Sequence, residues 1–133
     1  ETMEGVGLFK AHTVAGSRRL IGNVVVESEI EGLKLTLAGF ENHSGKTYLD
    51  EGQKPLGRVV TGYGNNAEDR TEGIVYKNAV GTYLHGPLLP KNAAFADYLI
   101  RRALDHRYGS EVALEPLESN FEDAAHRVAV RKT

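Results

Sequence analysis

Between Gly81 and Asn92 the chain runs Gly-Thr-Tyr-Leu-His-Gly-Pro-Leu-Leu-Pro-Lys-Asn, an apolar strand that delivers one histidine, His85, onto a turn. An imidazole titrates near neutrality, so a histidine carried to a strand end is well placed to take and return a proton. The nucleophile that such a base commonly activates is a cysteine, and the sequence contains none, so a Cys-His pair cannot be completed from these residues alone. A second cluster, Gly39-Phe40-Glu41-Asn42-His43-Ser44-Gly45, sets a carboxylate, an amide and an imidazole side by side. It reads either as part of a site or as a well-bonded turn, since Asn and Ser are frequent turn formers. Ser17-Arg18-Arg19-Leu20 offers two guanidinium groups ahead of a strand, which either clamp a carboxylate in bidentate fashion or are simply solvated.

Other chemistries are poorly supplied. Gly62-Tyr63-Gly64-Asn65-Asn66 has the look of a glycine loop, but no G-x-G-x-x-G follows a strand and opens a helix. No G-x-S-x-G elbow is present for a serine hydrolase. The five histidines, His12, His43, His85, His106 and His126, lack the close spacing of metal ligands, and without cysteine neither a thiolate zinc site nor a disulfide framework can form. A net charge of −2 gives no field for gripping nucleic acid or an anionic membrane. No apolar run approaches the roughly 20 residues of a membrane span. Neither nucleic acid nor a membrane is expected as a partner, and the expected location is the cytoplasm.

At 133 residues the chain suits one domain or part of one, burying roughly two-thirds of its unfolded surface. It opens at Glu1-Thr2 rather than at methionine, from which an upstream segment is expected to be absent. The β-branched run Leu20–Ser28 and the alternating run Leu33–Phe40 predict strands joined through Glu29-Ile30-Glu31-Gly32 as a hairpin. Leu56–Tyr63, Gly73–Tyr76 and Ala79–Leu84 predict three more, the last two linked by Lys77-Asn78. Helical periodicity is confined to the last third. Asn92 is expected to cap a helix that ends near Tyr108-Gly109, and Ser119-Asn120-Phe121-Glu122 reads as a capping box. In that second helix Phe121, Ala124, Ala125 and Val128 form the expected buried stripe. Strands followed by two helices suit the sheet-rich second half of a layered α/β domain whose parallel strands lie upstream.

Three runs carry more than patterning. Gly39 to Tyr48, Gly62 to Asn66 with Glu68-Asp69 and Glu72-Gly73, and Lys77 to Asn92 resemble the glutaminase subunits of lipid II isoglutaminyl synthases, within the cobyric-acid-synthase-like branch of class I glutamine amidotransferases. The resemblance covers roughly Glu4 to Leu104. It implies the C-terminal, strand-rich half of a three-layer, flavodoxin-like amidotransferase domain with two C-terminal helices, residues 1–133 forming that half without its nucleophile-bearing part. It further implies a cysteine, some twenty residues before Glu1, that attacks the side-chain amide of glutamine and releases ammonia. His85 matches the family's catalytic histidine, and Arg19 an arginine near the active site that orients glutamine or the incoming substrate. In many class I relatives a glutamate two residues after the histidine orients its ring. Here that position is Pro87, which leaves a Cys-His dyad or a third group such as Glu41, with His43 beside it.

The resemblance also implies a Mur-ligase-like ATPase partner that would carry ATP and magnesium and amidate the α-carboxyl of D-glutamate in lipid II, with no cofactor in this chain. Two alternatives stand beside it: an amidotransferase acting on cobyric or cobyrinic acid, and a non-catalytic scaffold that lost the nucleophile. Apolar edges left by an absent half would favour a homo-oligomer or reassociation with the missing segment.

Overall fold

The computed structural model describes residues 2–109 and 112–133. Two long strands dominate it, β1 (Ala11–Ile30) and β2 (Leu33–Leu49), paired antiparallel along nearly their whole length. Their β-branched and alternating sequences are those of a half-buried sheet, as expected, but the strands run further than the periodicity indicated. The expected four-residue connection contracts to Glu31-Gly32, with φ of 50° and 82°, the positive pair of a type I′ turn whose twist matches that of the flanking strands. β3 (Gly57–Thr61) pairs with β1, and the two-residue β4 (Thr71–Glu72) pairs with β3, giving the order β2-β1-β3-β4. β5 (Ile74–Tyr76) and β6 (Ala79–Gly81) form the predicted small hairpin around Lys77-Asn78. Every pairing among the described residues is antiparallel.

The core lies on one face of the large sheet. Val24, Val26, Ile30 and Leu37 point into it from β1 and β2 and meet Leu56, Val59, Leu84 and Phe95. The other face carries the alternate residues, among them Ile21, which is 50% exposed, and the exposed Asn23 and Asn42.

Three helices follow: α1 (Leu88–Lys91), α2 (Ala93–Tyr108) and α3 (Asn120–Lys132). α1 is a single turn and too short to show periodicity in the sequence. α2 begins and ends where expected, with Gly109 in the left-handed region (φ 64°) accepting the chain at its C-terminus.

The expected caps differ in mechanism. Asn92 makes no side-chain cap; its amide is spent on strand β2, and its backbone oxygen accepts from the N–H groups of Phe95 and Ala96 instead. Ser119 likewise makes no capping-box bond, its hydroxyl donating to Asp123 Oδ2 at 2.9 Å. The expected stripe of α3 is not its docked side. Phe121 is 89% exposed and Ala124, Ala125 and Val128 are exposed too, while His126, Ala129 and Val130 turn inward. His126 fixes that orientation by donating from Nδ1 to the carbonyl of Lys91 at 2.8 Å.

Candidate active site

His85 stands past the end of β6, outside any regular strand, and is held by its backbone. Its N–H donates to Phe40 O at 2.6 Å and its carbonyl accepts from Phe40 N at 3.1 Å, an isolated antiparallel bridge on the free edge of β2. Paired residues project to the same face, so the His85 ring shares the open face with Phe40, Asn42 and Asn23. The ring is exposed and makes no hydrogen bond among the described residues.

The residues just before His85 are fixed by a buried carboxylate. Glu72 Oε1 accepts from the Thr82 hydroxyl and, at 2.9 Å, from Tyr83 N–H, and Thr82 Oγ1 accepts in turn from Leu84 N–H. Burial pushes the Glu72 carboxyl above its ordinary value, opposed by those hydrogen bonds and reinforced by the charge of Glu41. Its second oxygen is buried without a partner among the described residues. Tyr83 stacks on His43 with ring centroids 3.7 Å apart and planes 6° from parallel, and its hydroxyl bonds Thr47 Oγ1 at 2.8 Å.

Arg19 reaches the same open face by a local irregularity. Between the pairs Ala15–Gly45 and Leu20–His43, four residues of β1 stand opposite the single residue Ser44. A side chain at Gly16 would collide with the Ser44 carbonyl, so the bulge closes tightly at its start. Consecutive arginines then leave in different directions. Arg18 lies over the Tyr63 ring at 5.4 Å, and Arg19 donates from Nε to Asn42 Oδ1 at 3.0 Å. Asn42 is two residues along β2 from Phe40, about 7 Å at the rise of a strand, so one face carries His85 at the free edge of β2 and Arg19 from the β1 side of that strand.

Glu41 and His43 lie on the opposite, buried face. The Glu41 carboxylate accepts from Tyr63 N–H at 2.7 Å and Gly64 N–H at 2.9 Å, with His43 Nε2 at 3.5 Å. No hydrogen bond or ion pair joins either residue to the His85 ring among the described residues. The work of Glu41 here is to anchor the glycine loop, which is satisfied internally: Asn65 bridges to Thr71 and Gly73, and Asn66 to Thr47, Glu68 and Asp69. Its amides are not free to cradle a phosphate. Gly45-Lys46-Thr47 lies within β2, its lysine paired with Glu68 at 2.6 Å, and lacks the loop and helix of a phosphate site. Among the described residues no group of His, Asp and Glu could hold a metal ion. No described helix is long and apolar enough to cross a membrane.

A solvent-facing imidazole at a sheet edge, with a guanidinium on the same face, can take part in proton transfer. Residues 1–93 match the CobB/CobQ-like glutamine amidotransferase domain. This chain belongs to that amidotransferase family. It is 48% identical over 120 residues to the lipid II isoglutaminyl synthase (glutamine-hydrolyzing) subunit GatD of Staphylococcus aureus, an alignment covering 90% of this chain and 46% of that protein. It is 43% identical over 117 residues to the corresponding subunit of Streptococcus pneumoniae, covering 87% and 44%. A probable cobyric acid synthase of Methanocaldococcus jannaschii is 34% identical over 116 residues, covering 80% and 23%. The amidotransferase chain thus spans less than half the length of these relatives.

Glu72 and Asn92, which tie down residues on either side of His85, were not evident as such in the sequence. Glu72, flanked by Thr71 and Gly73, gives no pattern that distinguishes a buried acid from an exposed one. Asn92 sits where a helix cap is expected, and its real partner is 54 residues away.

Proposed function

We propose that this chain is the C-terminal, histidine-bearing part of a glutaminase subunit that supplies ammonia for amidation of a peptidoglycan precursor. The observation that carries the reading is His85, pinned by backbone to Phe40 on the free edge of a sheet, with Asn42 and the Arg19 that donates to it on the same face. Identity of 48% and 43% to glutamine-hydrolysing subunits supports it. The chain itself has no cysteine, so the nucleophile belongs to a segment upstream of Glu1. In this reading that segment completes a three-layer, flavodoxin-like domain and covers the face on which His85 is exposed.

The chemistry follows from a base of this kind. A thiolate attacks the Cδ carbonyl of glutamine and forms a C–S bond. The tetrahedral intermediate collapses with loss of the amide nitrogen, which takes a proton from the His85 imidazolium and leaves as ammonia. Water then adds to the thioester, giving its proton to His85, and glutamate departs with regeneration of the thiol. Arg19 serves as the carboxylate clamp, its guanidinium oriented by Asn42. Ammonia passes to a Mur-ligase-like partner that uses ATP and magnesium in the cytoplasm, where it amidates the D-glutamate α-carboxyl of lipid II. Glu41 and His43 support the fold of the site rather than touch substrate. A second reading, amidation of cobyric or cobyrinic acid, draws on the 34% identity to a cobyric acid synthase and keeps the same glutaminase chemistry.

The test is glutamate release by the full-length subunit with its partner. His85→Ala is expected to abolish it, and Arg19→Ala to raise KM for glutamine. Undiminished turnover in His85→Ala would overturn the reading.

A further inference from the structure

We propose that Asn92 is a positioning residue for His85, closing the second end of a clamp that fixes the histidine loop to the edge of β2. The inference rests on the glutaminase reading above. His85 is bound to β2 by one isolated bridge, a pair of hydrogen bonds to Phe40 with no neighbouring ladder on that side. A single bridge on a sheet edge frays readily unless something else holds the segment. Two residues back along β2, the outward-facing N–H and carbonyl of Ala38 are both taken by the Asn92 side chain. Oδ1 accepts from Ala38 N–H at 2.8 Å and Nδ2 donates to Ala38 O at 2.9 Å. A primary amide has the donor and acceptor of a peptide unit, so Asn92 pairs with Ala38 as a neighbouring strand would.

The same side chain reaches back into the loop. Its Nδ2 also donates to Leu88 O at 2.7 Å, while its backbone N–H donates to Leu89 O at 3.0 Å and closes the single turn of α1. The loop from Gly86 to Lys91 is therefore tied at His85, at Leu88 and at Asn92, with its two sheet contacts about 7 Å apart. Asn92 is 3% exposed, and no hydrogen bond between its side chain and the His85 ring is present. Its effect on His85 is transmitted through backbone alone. Released from this end, His85 would keep only its own bridge, and displacement of a catalytic group by about 1 Å is enough to cost a large factor in rate.

The experiment uses the full-length subunit with its partner, comparing Asn92→Asp, Asn92→Ser and Leu99→Ala. Asp keeps the acceptor for Ala38 N–H but sets a carboxylate against the carbonyls of Ala38 and Leu88. Ser shortens the reach. Leu99, packed against the core from α2, is the control for loss of stability without loss of the clamp. For both Asn92 variants kcat for glutamine hydrolysis should fall on the order of tenfold or more, with KM for glutamine within about twofold because Arg19 and Asn42 are untouched. Leu99→Ala, measured equally far below its own melting temperature, should keep its kcat.

Wild-type kcat in a folded Asn92 variant, a change in KM alone, or an equal kcat loss in Leu99→Ala would overturn the proposal. A readout on the unsubstituted protein stands independently. The Ala38 amide hydrogen, whose partner is Asn92 Oδ1, should exchange as slowly as that of Phe40, and exchange at the rate of an open sheet edge would also overturn it. Failure of the glutaminase reading shows separately, as retained activity in His85→Ala.

Discussion

A methyl group added at Gly39 would stand 2.8 Å from Cδ2 of Leu84 and 3.4 Å from the carbonyl oxygen of His85. Gly39 is thus the point at which β2 lets the histidine segment approach. Gly39→Ala should cost about 1–3 kcal/mol by overpacking, read from chemical denaturation, and should lower kcat in the full-length subunit as His85 is pushed away. Glu72 allows a pH test. Burial raises its carboxyl above the ordinary 4.5, so the native state holds this proton more tightly than the unfolded state. Stability from this group is full below the unfolded value and falls as pH rises through the folded value. A neutral Gln keeps an acceptor for Thr82 and Tyr83 without a buried charge. Glu72→Gln should therefore raise the melting temperature at pH 8 by an amount corresponding to about 1 kcal/mol, and by much less at pH 4. An equal gain at both pH values would exclude the charge as the cause. The expected strand through Leu84 stops at Gly81, yet the exposed turn position of His85 could be read from the Gly-Pro that follows it. Glu72 and Asn92 could not be read in this way, because their work rests on hydrogen bonds to distant backbone, Tyr83 N–H for Glu72 and Ala38 for Asn92.

At the scale of elements, the hairpins and the start and end of α2 could be read from β-branched runs, turn residues and the Gly109 stop. The orientation of α3 could not. Its sequence offers two overlapping apolar sets, one around Phe121 and Val128 and one around Ala129 and Val130, and which set docks is decided by the His126 bond to the Lys91 carbonyl. Phe121→Ser should accordingly leave the stability of this chain within about 0.5 kcal/mol, as for an exposed site, whereas the sequence pattern predicts a core-sized loss. His126→Ala should destabilise by about 1 kcal/mol, the usual worth of a hydrogen bond, seen as a lower denaturation midpoint. The bulge at residues 16–19 was equally hidden, since Ser-Arg-Arg-Leu reads as the start of a strand and only the partner strand shows that one residue faces four.

For the whole molecule, the contrast between a packed sheet face and one that is buried at Val25 and Ala38 but exposed at Asn23 and Ile21 sets what this chain can do by itself. The core of Val24, Val26, Leu37, Leu56 and Phe95 holds the scaffold, while the His85 face has Ile21 half exposed and no cysteine to work with. The chain produced alone is expected to release no glutamate from glutamine, and co-expression with a segment that supplies the proposed cysteine nucleophile should give release and bury Ile21. Hydrogen exchange and a coupled glutamate assay on the same preparation would check both.

The register of the long hairpin resumes cleanly on either side of Ser44. Residues inserted or removed between Ala15 and Leu20 would change the length of the bulge without shifting a single pair beyond it. Arg18 and Arg19 therefore lie where a change of length would redirect their side chains, and with them the Arg19–Asn42 contact, while leaving the pairs from Leu20 to Ile30, Phe40 among them, in register.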